Sequence, residues 1–183
     1  MSSTSEQTTK GDKMSAFQEE SLSHLKLPDD HTVTKTIVTS PNIYKPVGPY
    51  SQAVLVDRTL YLSGVLGLDP NGQMVKGGAE AQTRMILINL RHVLEAGGAS
   101  LASVIKTTIL LADIDDFRVV NQVYSEFFQK DCPARATFQV GQLPLGALVE
   151  IDAIALSGAD LVITEAGPCP CSVECDRKEM NDP

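Results

Sequence analysis

Several things are scarce in this 183-residue sequence. No run approaches the roughly 18–20 apolar residues of a membrane-spanning helix, and the opening MSSTSEQTTKGDK has no apolar stretch of the kind a secretory signal carries. A cytoplasmic protein is expected. Basic residues are outnumbered, 15 to 23, for a formal net charge of -8. Half of that excess lies after residue 158; residues 41–158 carry 9 basic and 11 acidic side chains, without the basic stripe of a nucleic-acid binder. Histidines number three, and His24, His31 and His92 are too scattered for a Ser-His-Asp triad. No Gly-rich phosphate loop, His-x-x-x-His or Gly-x-Ser-x-Gly occurs.

Cysteine is sparse and unevenly placed: Cys132 alone, then Cys169, Cys171 and Cys175. That is not the even spread of a disulfide-stapled secreted domain. Cys-x-Cys-x-x-x-Cys lacks the fourth ligand of a tetrahedral zinc site, so the expectation is a tail of oxidisable thiols and no metal. Residues 1–31 are rich in Ser, Thr, Glu, Gln and Lys and are expected to be a disordered extension, because they cannot bury enough apolar surface to offset the entropy of ordering them. Residues 159–183 are expected to be a flexible acidic tail. One domain, 32–158, remains.

Within it the hydrophobic period alternates between strand and helix. His31–Ser40 is β-branched, and Ala53–Val56 and Thr59–Ser63 flank Asp57-Arg58 as a hairpin. Gly77-Gly78 precedes a helix from about Ala79 to Ala96, with Gln82 and Asn89 on its apolar stripe beside Ile86, Leu90, Val93 and Leu94. Val104–Ala112 is a strand. Asp113, Asp115 and Asp116 then suit a helix N-terminus, and the helix presents Phe117, Val120, Tyr124, Phe127 and Phe128. Ala136–Val140 and Leu148–Leu156 read as a final strand pair. The order β-β-β-α-β-α-β-β specifies an α/β (α+β) sandwich, one sheet with two helices on one face. The other face is too apolar for water, so an oligomer is expected to hide it.

The polar residues that stand out lie late in the domain. Arg135 alternates with Ala136, Phe138 and Val140, on one face with Thr137 and Gln139; its guanidinium suits a carboxylate, or an ordinary ion pair. Glu150 and Asp152 share a face of the last strand. If the two last strands form a hairpin, Glu150 lies across from Arg135, where the pair is either a structural salt bridge or an anion clamp beside a base. Tyr50 follows Gly48-Pro49 and offers a phenolic donor. Asn121 falls on the apolar side of the second helix, where a buried amide needs partners. Chemistry built on Arg, Glu, Tyr, Ser and water suits hydrolysis of an already reactive electrophile.

The segments GPYSQAV (48–54), YLSG (61–64), GGAEAQT (77–83), VIKTTILLADIDDFRVVNQVYSEFF (104–128), PARATFQV (133–140) and LVEIDAIALSG (148–158) together resemble the YjgF family of reactive intermediate deaminases, also called 2-iminobutanoate/2-iminopropanoate deaminases. The resemblance runs from about Ile37 to Gly158. It implies a chorismate-mutase-like homotrimer with active sites between subunits. It also implies hydrolysis of 2-imino acids, formed from enamines such as 2-aminoacrylate, to 2-oxo acids and ammonia, with no cofactor. Carried over by motif, Arg135 clamps the substrate carboxylate, Glu150 positions the water, and Tyr50, Ser63 and Asn121 line the pocket. Two positions depart from the family pattern. Thr137 stands where many members have Cys, leaving its backbone N–H for the carboxylate, and Val65 stands where many have Gln. Two other functions compete: an RNA-directed translation inhibitor or endoribonuclease, as some animal relatives are described, and a non-catalytic trimer that binds small carboxylates or partner proteins.

Overall fold

The computed structural model describes residues 32–158 and 161–164. The expected extension over 1–31 and the cysteine cluster of the tail lie outside the described residues. Residues 32–34 carry no regular structure, and the first element among the described residues starts at Lys35.

Among the described residues six strands and two helices follow the order read from the sequence: β1 (Lys35–Val38), β2 (Ala53–Val56), β3 (Thr59–Leu66), α1 (Gly78–Ala96), β4 (Val104–Leu111), α2 (Phe117–Phe127), β5 (Ala134–Gln139) and β6 (Val149–Leu156). They build one mixed sheet in the spatial order β1-β2-β3-β6-β4-β5. All neighbours are antiparallel except β4 and β5, which run parallel. The first strand is shorter than its β-branched sequence suggests. Its pairing with β2 runs only from Lys35↔Val56 to Val38↔Ala53, and at Ser40 the chain leaves the ladder, its N–H donating to Oε1 of Gln52 at 2.6 Å.

The final hairpin does not form. Strands β5 and β6 are separated by β4, which pairs with both. The strand–helix–strand run β4-α2-β5 is the reason. A helical crossover returns the chain in its original direction, so β5 must lie parallel to β4, and β6 then takes the other side of β4.

Alternation sorts the sheet into two faces. One register row, Arg135–Thr107–Ala153–Leu62–Ala53–Val38, faces the helices; all its members except Arg135 are buried. They pack under α1 residues Ile86, Leu87, Leu90, Val93 and Leu94 and α2 residues Val120, Val123 and Tyr124. Rows of the opposite parity face away from the helices. There Ile37, Tyr61 and Phe138 are about half exposed, at 55%, 49% and 55%. The expected bare, apolar face is present.

Buried amides lock the helices to the sheet. Asn89 Nδ2 donates to the carbonyls of Leu66 and Leu68 at 3.3 and 2.9 Å, and Gln82 Oε1 accepts from the Leu148 N–H at 2.8 Å. Both were expected on the apolar stripe, and each satisfies backbone groups beyond the ladders. Val65 is buried in the core with them, 4% exposed.

Candidate active site

The site residues fall into two groups. The first gathers on the open face, where the loop from Ser40 to Gln52 meets β3 and β6. Gln52 fixes that loop from within: it accepts from Ser40, and its Nε2 donates to the Tyr44 carbonyl at 3.1 Å. The Tyr44 hydroxyl accepts from the Leu66 N–H at 2.8 Å, tying the loop to the end of β3. Burial pushes the Tyr44 phenol up to about 12, against the opposing pull of the Leu66 bond. Tyr44 packs with Leu66, Leu68, Leu143 and Ala147 in a small second core. Neither Tyr44 nor Gln52 stood out as chemistry in the sequence; the Gln of GPYSQAV was the available signal.

A β-bulge shapes the floor. On β3 the register passes from Leu62↔Ala153 to Val65↔Ile151, so Ser63 and Gly64 together oppose Asp152. The bulge brings Gly64 under the Glu150 side chain: a Cβ on Gly64 would lie 1.9 Å from Glu150 Oε1. The carboxylate thus lies directly on bare backbone. Burial, with a smaller contribution from Asp152, raises the Glu150 pKa above the usual carboxylate value of 4.5. A half-buried carboxyl with a raised pKa has the character of a general base. Glu150, Tyr50, Ser63 and Gly64 line one open cavity of about 230 Å³, with Val47, Leu66 and Pro144 as its apolar walls. Tyr50 is 42% exposed. Its hydroxyl oxygen accepts from the Val47 N–H at 3.3 Å, which leaves its own proton to donate. Ser63 Oγ donates to the Ser51 carbonyl at 2.7 Å, so toward a ligand it can only accept.

The second group lies at the β5 edge, against α2. Arg135 pairs in register with Thr107, and Thr137 with Ile109; both partners are fully buried on the helix side. The Arg135 guanidinium accordingly lies over α2, its Cζ 5.0 Å from the Tyr124 ring centroid and 5.8 Å from that of Phe117. It makes no salt bridge among the described residues. Asn121, on the same helix, is half-buried, and its amide makes no hydrogen bond there either, so it is not the satisfied core amide that its helical position suggested. The guanidinium, the Asn121 amide and the strand edge at Thr137 offer hydrogen-bond donors to an anion.

Glu150 therefore does not lie across from Arg135. Its row is Phe138–Leu110–Glu150–Leu66, of the opposite parity to the Arg135–Thr107–Ala153 row. The chain thus carries the Glu150 carboxyl with the Tyr50 phenol on one face of its sheet, and the Arg135 guanidinium on the other.

Three comparisons bear on this arrangement. Residues 40–157 match the family described as Endoribonuclease L-PSP. The chain is 48% identical over 128 residues to the 2-iminobutanoate/2-iminopropanoate deaminase of Bos taurus, covering 69% of this chain and 93% of that protein. Among solved structures it is similar to YEO7 of yeast, with a TM-score of 0.67 at 35% identity over 68% of this chain and 99% of that one. It is also similar to TdcF of E. coli with bound serine, with a TM-score of 0.63 at 32% identity over 66% and 98%.

Proposed function

Since the chain belongs to the Endoribonuclease L-PSP family, the YjgF family that its motifs resemble, we propose that it is a hydrolytic deaminase that converts small 2-imino acids to 2-oxo acids and ammonia. The observation that carries this reading is the pairing of a carboxylate clamp without a salt bridge among the described residues, Arg135, with a carboxyl of raised pKa, Glu150, in a chain 48% identical to a deaminase of that name. The serine bound to TdcF is a molecule of the same size class.

In this reading Arg135 binds the substrate carboxylate through two parallel N–H···O bonds, helped by Asn121 and the backbone N–H of Thr137. Glu150 orients a water and takes its proton as the oxygen attacks the C=N carbon. That proton passes to nitrogen, giving the carbinolamine; Glu150 then takes the hydroxyl proton and delivers it to the leaving amine as the C–N bond breaks, which yields the 2-oxo acid and ammonia. Tyr50 donates into the pocket. The half-sites meet between subunits of a homotrimer, Arg135 of one with Glu150 of its neighbour. The apolar open face and the opposite placement of the two groups support that assembly. A cytoplasmic location and the absence of any cofactor belong to the same proposal.

The test is release of 2-oxobutanoate and ammonia from 2-iminobutanoate generated in place. We expect acceleration by the wild type, and for Arg135→Ala a loss of about tenfold to a hundredfold in kcat/KM, the scale of charged hydrogen bonds. A wild-type rate equal to the uncatalysed one would refute the reading. The family's description favours one alternative, cleavage of RNA; it requires binding of single-stranded RNA that persists at about 200 mM salt.

A further inference from the structure

An arginine on an exposed edge strand ordinarily samples many rotamers, and ordering it on ligand binding costs entropy. Arg135 is held in place before any ligand arrives. Its Cζ lies 5.0 Å from the Tyr124 centroid and 5.8 Å from the Phe117 centroid, both rings projecting from α2. Tyr124 is itself fixed. Its hydroxyl is 2.8 Å from Oγ1 of Thr107, and its ring stacks on Phe128 with centroids 4.5 Å apart and planes 27° from parallel. Thr107 is fully buried and is the register partner of Arg135, so the support closes a loop from strand to helix and back.

The chemistry of the support matters as much as its rigidity. A carboxylate partner would hold the guanidinium equally well but would occupy its N–H fork and cancel its charge. Aromatic faces attract the cation through the ring quadrupole and accept none of its in-plane hydrogen bonds. The edge of the fork stays free.

We propose that Phe117 and Tyr124 are positioning residues of the clamp: an aromatic cradle that orders the Arg135 guanidinium while leaving its donors unspent for a substrate carboxylate. This rests on the deaminase reading for the identity of the carboxylate, and on the geometry alone for the cradle. Phe117 is the better probe, because it is 40% exposed at the first residue of its helix and can be changed without opening the core.

The experiment pairs kinetics on 2-iminobutanoate with the NMR signal of the Arg135 Nε–H in ligand-free protein, assigned by its loss in Arg135→Lys. In the wild type that signal should be displaced by ring currents. Phe117→Leu should move it toward the position of a free arginine and raise KM about two- to fivefold with kcat little changed, the range expected of one exposed cation–π contact. Phe117→Trp should restore both. A lower kcat at unchanged KM in Phe117→Leu, the pattern of lost active enzyme, would overturn the cradle. So would a wild-type signal already at the free-arginine position, even in an active enzyme. A ring-shifted signal that responds to Phe117→Leu in a protein without imine hydrolysis would sink the deaminase reading and leave the cradle standing.

Discussion

Gly64 and Glu150 are coupled by a lack of space. A methyl group on Gly64 would meet Glu150 Oε1 at 1.9 Å and Cδ at 2.7 Å. The obstructing atoms end a flexible side chain, so the fold can yield by swinging the carboxylate aside. Gly64→Ala should therefore melt close to the wild type while losing activity on the order of a hundredfold, as a displaced catalytic group does. Circular dichroism melting beside the deaminase assay checks both halves. The raised pKa of Glu150 has a separate consequence. Between the usual value of 4.5 and the higher value in the folded state, the folded protein binds more protons than the unfolded one. Stability contributed by this residue therefore falls as pH rises through that window. Glu150→Gln, which removes the charge, should raise the melting temperature at pH 7, and the gain should vanish below about pH 4. Of this residue-scale picture, Arg135, Glu150, Tyr50, Ser63, Asn121 and Thr137 stood out in the sequence. The contact of Gly64 with Glu150 did not, because it depends on a bulge in a pairing between β3 and β6 that no local pattern specifies.

At the scale of elements, the helices were the most legible part. The stripe of α1 and the inward position of Gln82 and Asn89 follow from a period of 3.6 residues, and the helix observed is Gly78–Ala96, capped by Gly97. What the buried amides are for emerges only in three dimensions. Asn89 spans the carbonyls of Leu66 and Leu68, where β3 ends and the chain turns away. Asn89→Leu should cost about 1–3 kcal/mol, because two buried acceptors lose their donor; urea unfolding measures it. The strands were legible as segments but not as neighbours. Alternation identified β5 and β6 and the face of each side chain, yet the hairpin between them was an error. The chain order β4-α2-β5 contained the correction, since a helical crossover demands parallel strands. That rule separates β5 from β6, and the register of each with β4 then puts Arg135 on the helix side and Glu150 on the open side.

At the scale of the whole molecule, that one change of pairing alters what the site is. With a hairpin, clamp and base would stand together in a single subunit. With β4 between them, they occupy opposite faces of one sheet, and only a second copy can bring an Arg135 to a Glu150. Two helices on a six-stranded sheet already implied an uncovered face, and the half-exposed Ile37, Tyr61 and Phe138 are its residues. The most direct test mixes two impaired chains. Arg135→Ala and Glu150→Gln are coexpressed with different tags, and oligomers that carry both are purified. Where an intact Arg135 of one chain meets an intact Glu150 of the other, a complete site forms. We expect recovery of roughly a third of the wild-type activity, because a closed ring of three that holds both chains has one such junction among its three, while each variant alone stays at about a tenth or less. Mixed oligomers no more active than their parents would contradict a site shared between subunits.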